Sequence, residues 1–159
     1  MSTTTSSTVR LKQFIGGKWV EGSGAKEIQS LNPANTDEVV AVVKGADTSD
    51  AKRALDAAEE AFKKWRKVTP PARARVLDKV VKLARDRKEE LARVMTREEG
   101  KIISESRGEI EKGINLLEWF AGEGLRFMGQ TAPSELPNNF LYTIREPLGV
   151  VSVITPWNF

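Results

Sequence analysis

Short apolar runs separated by glycine and proline occupy the first 45 residues of the chain. Two of these runs flank Gly16-Gly17, which predicts a hairpin over residues 13–20 because a two-residue turn needs positive φ at its centre. Two more strands are predicted at residues 27–31 and 38–43, with a turn at Asn32-Pro33 between them. The pattern predicts a small β-meander that needs cover on one face.

Amphipathic stripes with helical spacing follow this region. Asp47, Thr48 and Ser49 offer N-caps for a first helix, whose apolar stripe runs over residues 51–65. Thr69 then caps a second helix, because the proline that follows it is favoured in the first turn.

Two further helices are predicted after the second one. Asp86 and Glu89 have capping-box spacing, which predicts a new helical turn that ends at Gly100. A longer stripe over residues 103–128 predicts a fourth helix, ended by Gly129 and the proline that follows.

The last twenty residues contain two strand-like runs. The first covers residues 140–145. The second, residues 149–154, is apolar and β-branched except for Ser152, which predicts a strand buried on both faces, as in a parallel sheet. Such a strand needs neighbours, so we expect a longer polypeptide or a complementing chain to cover it.

A polar tetrapeptide, residues 155–158, follows this strand at the end where open α/β sheets bind ligands. Asn158 offers a neutral amide donor, the group that stabilises a developing oxyanion without titrating. The alternative interpretation is an ordinary proline-containing turn. The residues alone leave both interpretations open.

Composition limits the chemistry that these 159 residues can supply. The chain lacks cysteine and histidine, so it offers no thiolate nucleophile and neither the commonest general base nor the commonest metal ligand. Its 25 basic and 22 acidic residues are interspersed, which argues against a nucleic-acid partner. Without a membrane-length apolar run or a signal sequence, we expect a cytoplasmic protein whose residues 1–11 form a disordered tail.

Three weaker motifs favour structural interpretations. Residues 122–129 contain glycines but fail as a dinucleotide fingerprint, because no strand precedes them; close helix packing and a C-cap are favoured. Aromatic and sulfur side chains near the end of the long helix are interpreted as core or as a subunit contact. They are Trp119, Phe120, Phe127 and Met128.

Five carboxylates on the long helix favour a salt-bridged surface, because basic residues are interleaved with them. They are Glu105, Glu109, Glu111, Glu118 and Glu123.

Four segments, taken in order, resemble one family. They are Phe-Ile-Gly-Gly-Lys-Trp-Val at 14–20, Asn-Pro-Ala-Asn at 32–35, the helix face with Ala58, Phe62 and Trp65, and Arg-Glu-Pro-Leu-Gly-Val-Val-Ser-Val-Ile-Thr-Pro-Trp-Asn-Phe at 145–159. Together they resemble the N-terminal part of NAD(P)-dependent aldehyde dehydrogenases, and the last segment is the most specific. Phe-Ala-Gly-Glu-Gly at 120–124, with Pro133-Ser134, is most similar to the branch that acts on semialdehydes of small carboxylic acids, such as 2-oxoglutarate semialdehyde.

The resemblance implies an α/β fold: the N-terminal part of a Rossmann-like cofactor-binding domain, truncated, with short β-hairpins, a helical layer and an oligomerisation-arm strand. The implied divisions are a tail at 1–11, β-meander and helices at 12–134, the arm strand at 135–147, and the first, incomplete strand of the cofactor-binding sheet at 148–159. The arm implies a homodimer or homotetramer.

The resemblance also implies a mechanism, in which a cysteine thiolate attacks the aldehyde, NAD or NADP accepts the hydride, and a glutamate activates water. Asn158 would donate to the thiohemiacetal oxyanion, and Ile154, Thr155, Pro156 and Trp157 would line the nicotinamide side of the cofactor cleft. In the family the cysteine and the glutamate base follow the position where this sequence ends, so we expect no activity from the chain alone. Half of a split dehydrogenase and a non-catalytic helical interaction module remain as alternatives.

Overall fold

The structure, a computed structural model, describes residues 8–156. Two short strands near the start of the chain, β2 (Gln13–Ile15) and β3 (Lys18–Val20), form an antiparallel hairpin. The turn between them has φ of +58° at Gly16 and +79° at Gly17. Glycine adopts this region without the Cβ penalty of other residues, so the predicted hairpin is confirmed.

A separate three-stranded sheet has the order β1-β5-β4, formed by Val9–Leu11, Asn35–Lys44 and Glu27–Asn32. β4 and β5 are antiparallel, whereas β1 pairs parallel to β5 with Val9 opposite Ala41. The meander prediction is therefore wrong in its connectivity. The predicted disordered tail is also wrong at residues 9–11, because the ten-residue β5 offers a second edge that β1 occupies; residues 1–7 lie outside the described part.

Four helices follow: α1 (Thr48–Trp65), α2 (Pro70–Asp86), α3 (Lys88–Glu99) and α4 (Ile103–Glu123). Asp47 caps α1 in a capping box with Asp50, which confirms the first predicted start. α2 starts after Thr69 with a proline in its first turn, as predicted, but the Thr69 side chain makes no capping hydrogen bond. Gly100 ends α3 at φ +77°, also as predicted.

Two helix boundaries differ from the prediction. Asp86 is the last residue of α2, and α3 begins after Arg87, so the predicted capping box is absent. α4 ends at Glu123 rather than near residue 128. Gly124, the C-cap residue, packs closely against α2: an added Cβ would lie 2.6 Å from the Ala74 Cβ and 2.9 Å from the Pro70 carbonyl oxygen. This packing confirms the structural interpretation of the glycines at 122–129.

The helical core lies where α4 packs against α2 and α3. Small and branched side chains fill it: Ala74, Val81, Ala92, Ile114 and Ala121. The buried Ser106 hydroxyl lies 2.8 Å from the Thr96 hydroxyl, which satisfies both groups. The core therefore fixes α4 against its neighbours by close approach and one polar pair.

The predicted strands at the end of the chain are only partly present. β6 (Thr131–Ala132) and β7 (Leu141–Tyr142) form a two-stranded antiparallel pair, shorter than the predicted arm strand. Among residues 8–156, no strand covers the apolar run at 149–154. Within the described residues no other strand hydrogen-bonds to this segment, so its place as a buried strand of a larger sheet stays a prediction.

Candidate functional site

Residues 149–156 lead to the predicted site. The segment begins at Gly149, whose φ is +106°. Beyond it, Val153 is 77% exposed and Ile154 is 92% exposed. Thr155 and Pro156 are exposed as well. Trp157 and Asn158 lie outside the described residues, so their roles stay predictions.

The described part of the segment does not by itself form a cradle for a dinucleotide. A nicotinamide cleft buries most of its ligand between apolar walls and a few fixed polar groups. The side chains of Ile154, Thr155 and Pro156 instead face solvent. Residues 154–156 therefore supply at most one wall of such a cleft, and the opposite wall must come from other residues.

Among the described residues, the Asp50 carboxyl has the most strongly shifted pKa. The sequence patterns did not single it out. Its side chain is 1% exposed. It accepts hydrogen bonds from the Ser23 backbone N–H at 2.7 Å, the Ser23 hydroxyl at 3.1 Å and the Asp47 N–H at 3.2 Å, and it pairs with Arg53. The Asp47–Asp50 capping-box spacing is the signal that could have revealed it.

These contacts determine the ionisation of Asp50. The Ser23 backbone N–H, followed by the Asp47 N–H and Arg53, holds the pKa of the Asp50 carboxyl well below its ordinary value, against the opposing effect of burial. A carboxylate that is already saturated with donors is a poor general base. Asp50 therefore serves structure, by joining the loop at Ser23 to the start of α1.

Within the described residues, four of the five carboxylates of α4 form ion pairs, as predicted, and their partners lie outside the helix. Glu111 pairs with Lys88 at 2.6 Å and Glu118 with Arg85 at 2.6 Å. Glu109 pairs with Lys101. Within the described residues, no cluster of carboxylates is arranged to hold a metal ion.

The aromatic side chains at the end of α4 are not core. Trp119 is 64% exposed and Phe120 is 59% exposed. The prediction of core packing is therefore wrong within the described residues, although Phe120 and Phe127 line an apolar groove with Trp65 and Leu77. A subunit contact at this face stays a prediction.

An apolar groove of about 380 Å³ lies among α2, α3 and α4. Leu91, Met95, Ile110 and Leu117 line it, and the charged residues among its lining are Glu109 and Lys112. Its lining residues include no nucleophile beside a base, so the groove is suited to packing rather than to catalysis. No helix in the described part of the chain is long and apolar enough to span a membrane.

Known proteins match this arrangement over nearly the whole chain. The model of the aldehyde dehydrogenase family matches residues 19–159. The alpha-ketoglutaric semialdehyde dehydrogenase of Bacillus subtilis is 41% identical over 146 residues, which are 92% of this chain and 30% of that protein. The NADP(+) succinate-semialdehyde dehydrogenase GabD of Escherichia coli is 40% identical over 155 residues, or 97% of this chain and 32% of that protein.

Solved structures show the same likeness. An Escherichia coli NADP-dependent enzyme has a TM-score of 0.87 at 36% identity, covering 94% of this chain and 31% of that one. The succinate-semialdehyde dehydrogenase from Burkholderia pseudomallei has a TM-score of 0.87 at 34% identity, with 94% and 31% covered. The architecture is thus that of the N-terminal portion of a Rossmann-like α/β dehydrogenase.

The chain belongs to the aldehyde dehydrogenase family. It spans about 30% of the length of the relatives that it matches. The resemblance to semialdehyde-oxidising members, predicted from residues 120–124 with Pro133-Ser134, is confirmed by these relatives.

Proposed function

We propose that the chain supplies the N-terminal portion of an enzyme that oxidises a small semialdehyde to a carboxylic acid with NAD or NADP. The observation that supports this most strongly is the 41% identity, over 92% of the chain, to an alpha-ketoglutaric semialdehyde dehydrogenase. Relatives named glutarate-, succinate- and aspartate-semialdehyde dehydrogenases are 38–40% identical over similar lengths. The shared substrate chemistry is an aldehyde at one end of a short carboxylic acid.

In this proposal Asn158 is the catalytic residue of the chain. When a thiolate adds to an aldehyde, negative charge develops on the former carbonyl oxygen. The Asn158 side-chain amide donates a hydrogen bond to that oxygen, and it stays neutral throughout because an amide does not titrate. Ile154, Thr155, Pro156 and Trp157 form one wall on the nicotinamide side of the cofactor.

The nucleophile must come from residues other than these 159, because they include no cysteine. The large accessible surface of the chain supports the proposal that further residues pack against it. Its accessible area is 12780 Å². A compact monomer of 17.6 kDa exposes about 7,900 Å². The excess belongs partly to apolar segments such as 150–154, which an additional portion of the fold would cover.

A chimera tests the proposed role of Asn158. Residues 1–159 are joined to the remaining portion of Escherichia coli GabD, and NADP+-dependent oxidation of succinate semialdehyde is measured. We expect an active chimera, and a loss of about 10²–10³ in kcat for Asn158→Ala, the typical cost of one oxyanion donor.

The matched control is Asn139→Ala, which removes an exposed amide from the arm region. We expect its kcat to stay within about twofold of the parent. An active chimera whose kcat does not change on Asn158→Ala would refute the assigned role. An inactive but folded chimera would count against the proposed function itself.

A split dehydrogenase is the second candidate, and the same excess surface favours it. In that arrangement a separate chain would carry the cysteine and the base. Co-expression of residues 1–159 with the GabD portion as two separate chains distinguishes the candidates. Activity from co-purified separate chains supports a split enzyme, whereas activity only from the fused polypeptide opposes it.

A further inference from the structure

A second apolar groove, of about 410 Å³, lies between α2 and α4 beside the end of α1, and we call it the α2–α4 groove. Aromatic side chains form much of its wall: Trp65, Phe120 and Phe127, together with Leu77. Trp65 is 47% exposed and Phe127 is 49% exposed, so the groove is open to solvent. Large contiguous apolar surfaces are rare on monomeric proteins, and they mark sites of interaction.

The α2–α4 groove also carries positive charge that no described residue neutralises. Arg73, half-buried on α2, lines the groove, and its guanidinium carbon lies 5.9 Å from the centroid of the Phe127 ring. The guanidinium carbon of Arg145 lies 5.6 Å from the same centroid. Neither arginine forms an ion pair with a described residue. Glu123, the carboxylate among the described lining residues, pairs with Arg126 at 2.7 Å.

These two properties restrict what can cover the groove. Aromatic residues and arginine are the residue types enriched at the centres of protein interfaces, where they are packed away from water. A guanidinium that leaves water without an acidic partner is strongly unfavourable, whereas a carboxylate matches its paired N–H donors. A covering segment without an acidic side chain would therefore leave the charge of Arg73 buried and unpaired.

We infer that the α2–α4 groove is an interface with the rest of the dehydrogenase fold, and that the segment covering it is apolar and carries a carboxylate that pairs with Arg73. The inference rests on the proposed function, in which further residues complete the enzyme. The chain spans 30% of the alpha-ketoglutaric semialdehyde dehydrogenase of Bacillus subtilis, so relatives of this kind have further sequence to supply such a segment. A second copy of this chain is the competing occupant.

The fluorescence of Trp65 reports whether the groove is covered in the fused chimera of residues 1–159 with the remaining portion of GabD. The emission of Trp65 is obtained as the difference between the parent and Trp65→Phe, which keeps an aromatic ring in the wall. We expect this emission to shift to shorter wavelength in the chimera, and acrylamide to quench it less than in the chain alone. A shift that instead appears in the chain alone as its concentration rises would assign the groove to a second copy and overturn the inference.

Arg73→Gln tests for the carboxylate, with Arg75→Gln as the matched control, because Arg75 is an exposed arginine of the same helix that does not line the groove. In the chimera we expect Arg73→Gln to lower the apparent melting temperature by about 3–6 °C, and Arg73→Lys, which keeps the charge, to lower it less. In the chain alone we expect both glutamine variants to melt within about 2 °C of the parent, because Arg73 has no acidic partner there.

The outcomes separate this inference from the proposed function. Equal effects of Arg73→Gln in the chain and in the chimera, or a Trp65 emission that is the same in both, would overturn the inference. An active chimera with an uncovered Trp65 would do so while leaving the proposed function intact. A chimera that covers Trp65 and depends on Arg73, but does not oxidise the semialdehyde, would refute the proposed function and support the interface.

Discussion

At the scale of single residues, hydrogen-bonded charged side chains of this chain connect parts of the fold rather than act as reactive groups. Asp50 shows this best, because its carboxylate accepts from the Ser23 and Asp47 backbone amides and pairs with Arg53. These contacts span a loop and the start of α1. A sequence-based search for paired carboxylates considered α4 instead, because only the fold brings Ser23 to Asp50.

The ionisation of Asp50 makes the stability of the chain sensitive to acid. Its folded pKa lies below the ordinary value of 3.8, so its contribution is fully present above that pH and is lost as the pH falls through the lower folded value. We expect Asp50→Asn to lower the midpoint of guanidinium unfolding at pH 7. The midpoint of the parent should fall when the pH is lowered from 5 to 2.5, and the midpoint of Asp50→Asn should fall less. Circular dichroism at 222 nm measures both midpoints.

Asp56→Asn is the control, because Asp56 is an exposed carboxylate on the same helix and pairs with Lys52, four residues before it. We expect its midpoint to change little at either pH. An Asp50→Asn chain with the same acid sensitivity as the parent would contradict the assignment.

At the scale of elements, helix starts and stops with local chemical causes were predictable from the sequence. The Asp47 cap, the proline-led start of α2 and the Gly100 C-cap all depend on neighbouring residues, and all three are present. The end of α4 was predicted too late, because the apolar stripe continues to Met128 whereas the helix ends at Glu123. β1 was missed because three residues form a strand only where β5 offers an edge.

Substitution of Gly124 tests the close packing at the end of α4. Its added Cβ would meet Ala74 and the Pro70 carbonyl well inside contact distance, so we expect Gly124→Ala to destabilise the chain by about 1–3 kcal/mol. Gly122→Ala is the matched change within the same helix. Its Cβ would meet only the movable end of Arg126, at 3.2 Å, so it should be neutral or stabilise by up to about 1 kcal/mol.

Urea unfolding curves give the two free energies of unfolding. Equal effects of the two substitutions would contradict the close approach of Gly124 to Ala74 and the Pro70 carbonyl.

At the scale of the whole molecule, the chain exposes apolar segments that a complete fold would cover. Residues 149–154 were predicted as a buried strand from composition alone. The structure leaves Val153 and Ile154 exposed, since no described strand lies beside them. The apolar character of the segment is evident from the sequence, whereas its pairing in a larger sheet stays a prediction. The Asn158 site is likewise a prediction from the motif.

We expect the isolated chain to self-associate through this segment, because exposed apolar backbone that can pair as a strand recruits other chains. Light scattering coupled to size-exclusion chromatography should show species above 17.6 kDa at micromolar concentration. Val153→Lys should shift the distribution toward the monomer, whereas Lys79→Arg, a conservative change on α2, should not. A monodisperse parent chain would contradict this expectation.

Complementation tests the central claim most directly: that this chain is the N-terminal part of an aldehyde dehydrogenase and needs the rest of the fold for chemistry. NADPH formation from succinate semialdehyde is followed for the purified 159-residue chain alone, and for the fused chimera with the remaining portion of Escherichia coli GabD. The account predicts no turnover by the chain alone, since it lacks a cysteine, and turnover by the chimera. Turnover by the verified 159-residue chain alone, or a folded but inactive chimera, would contradict it.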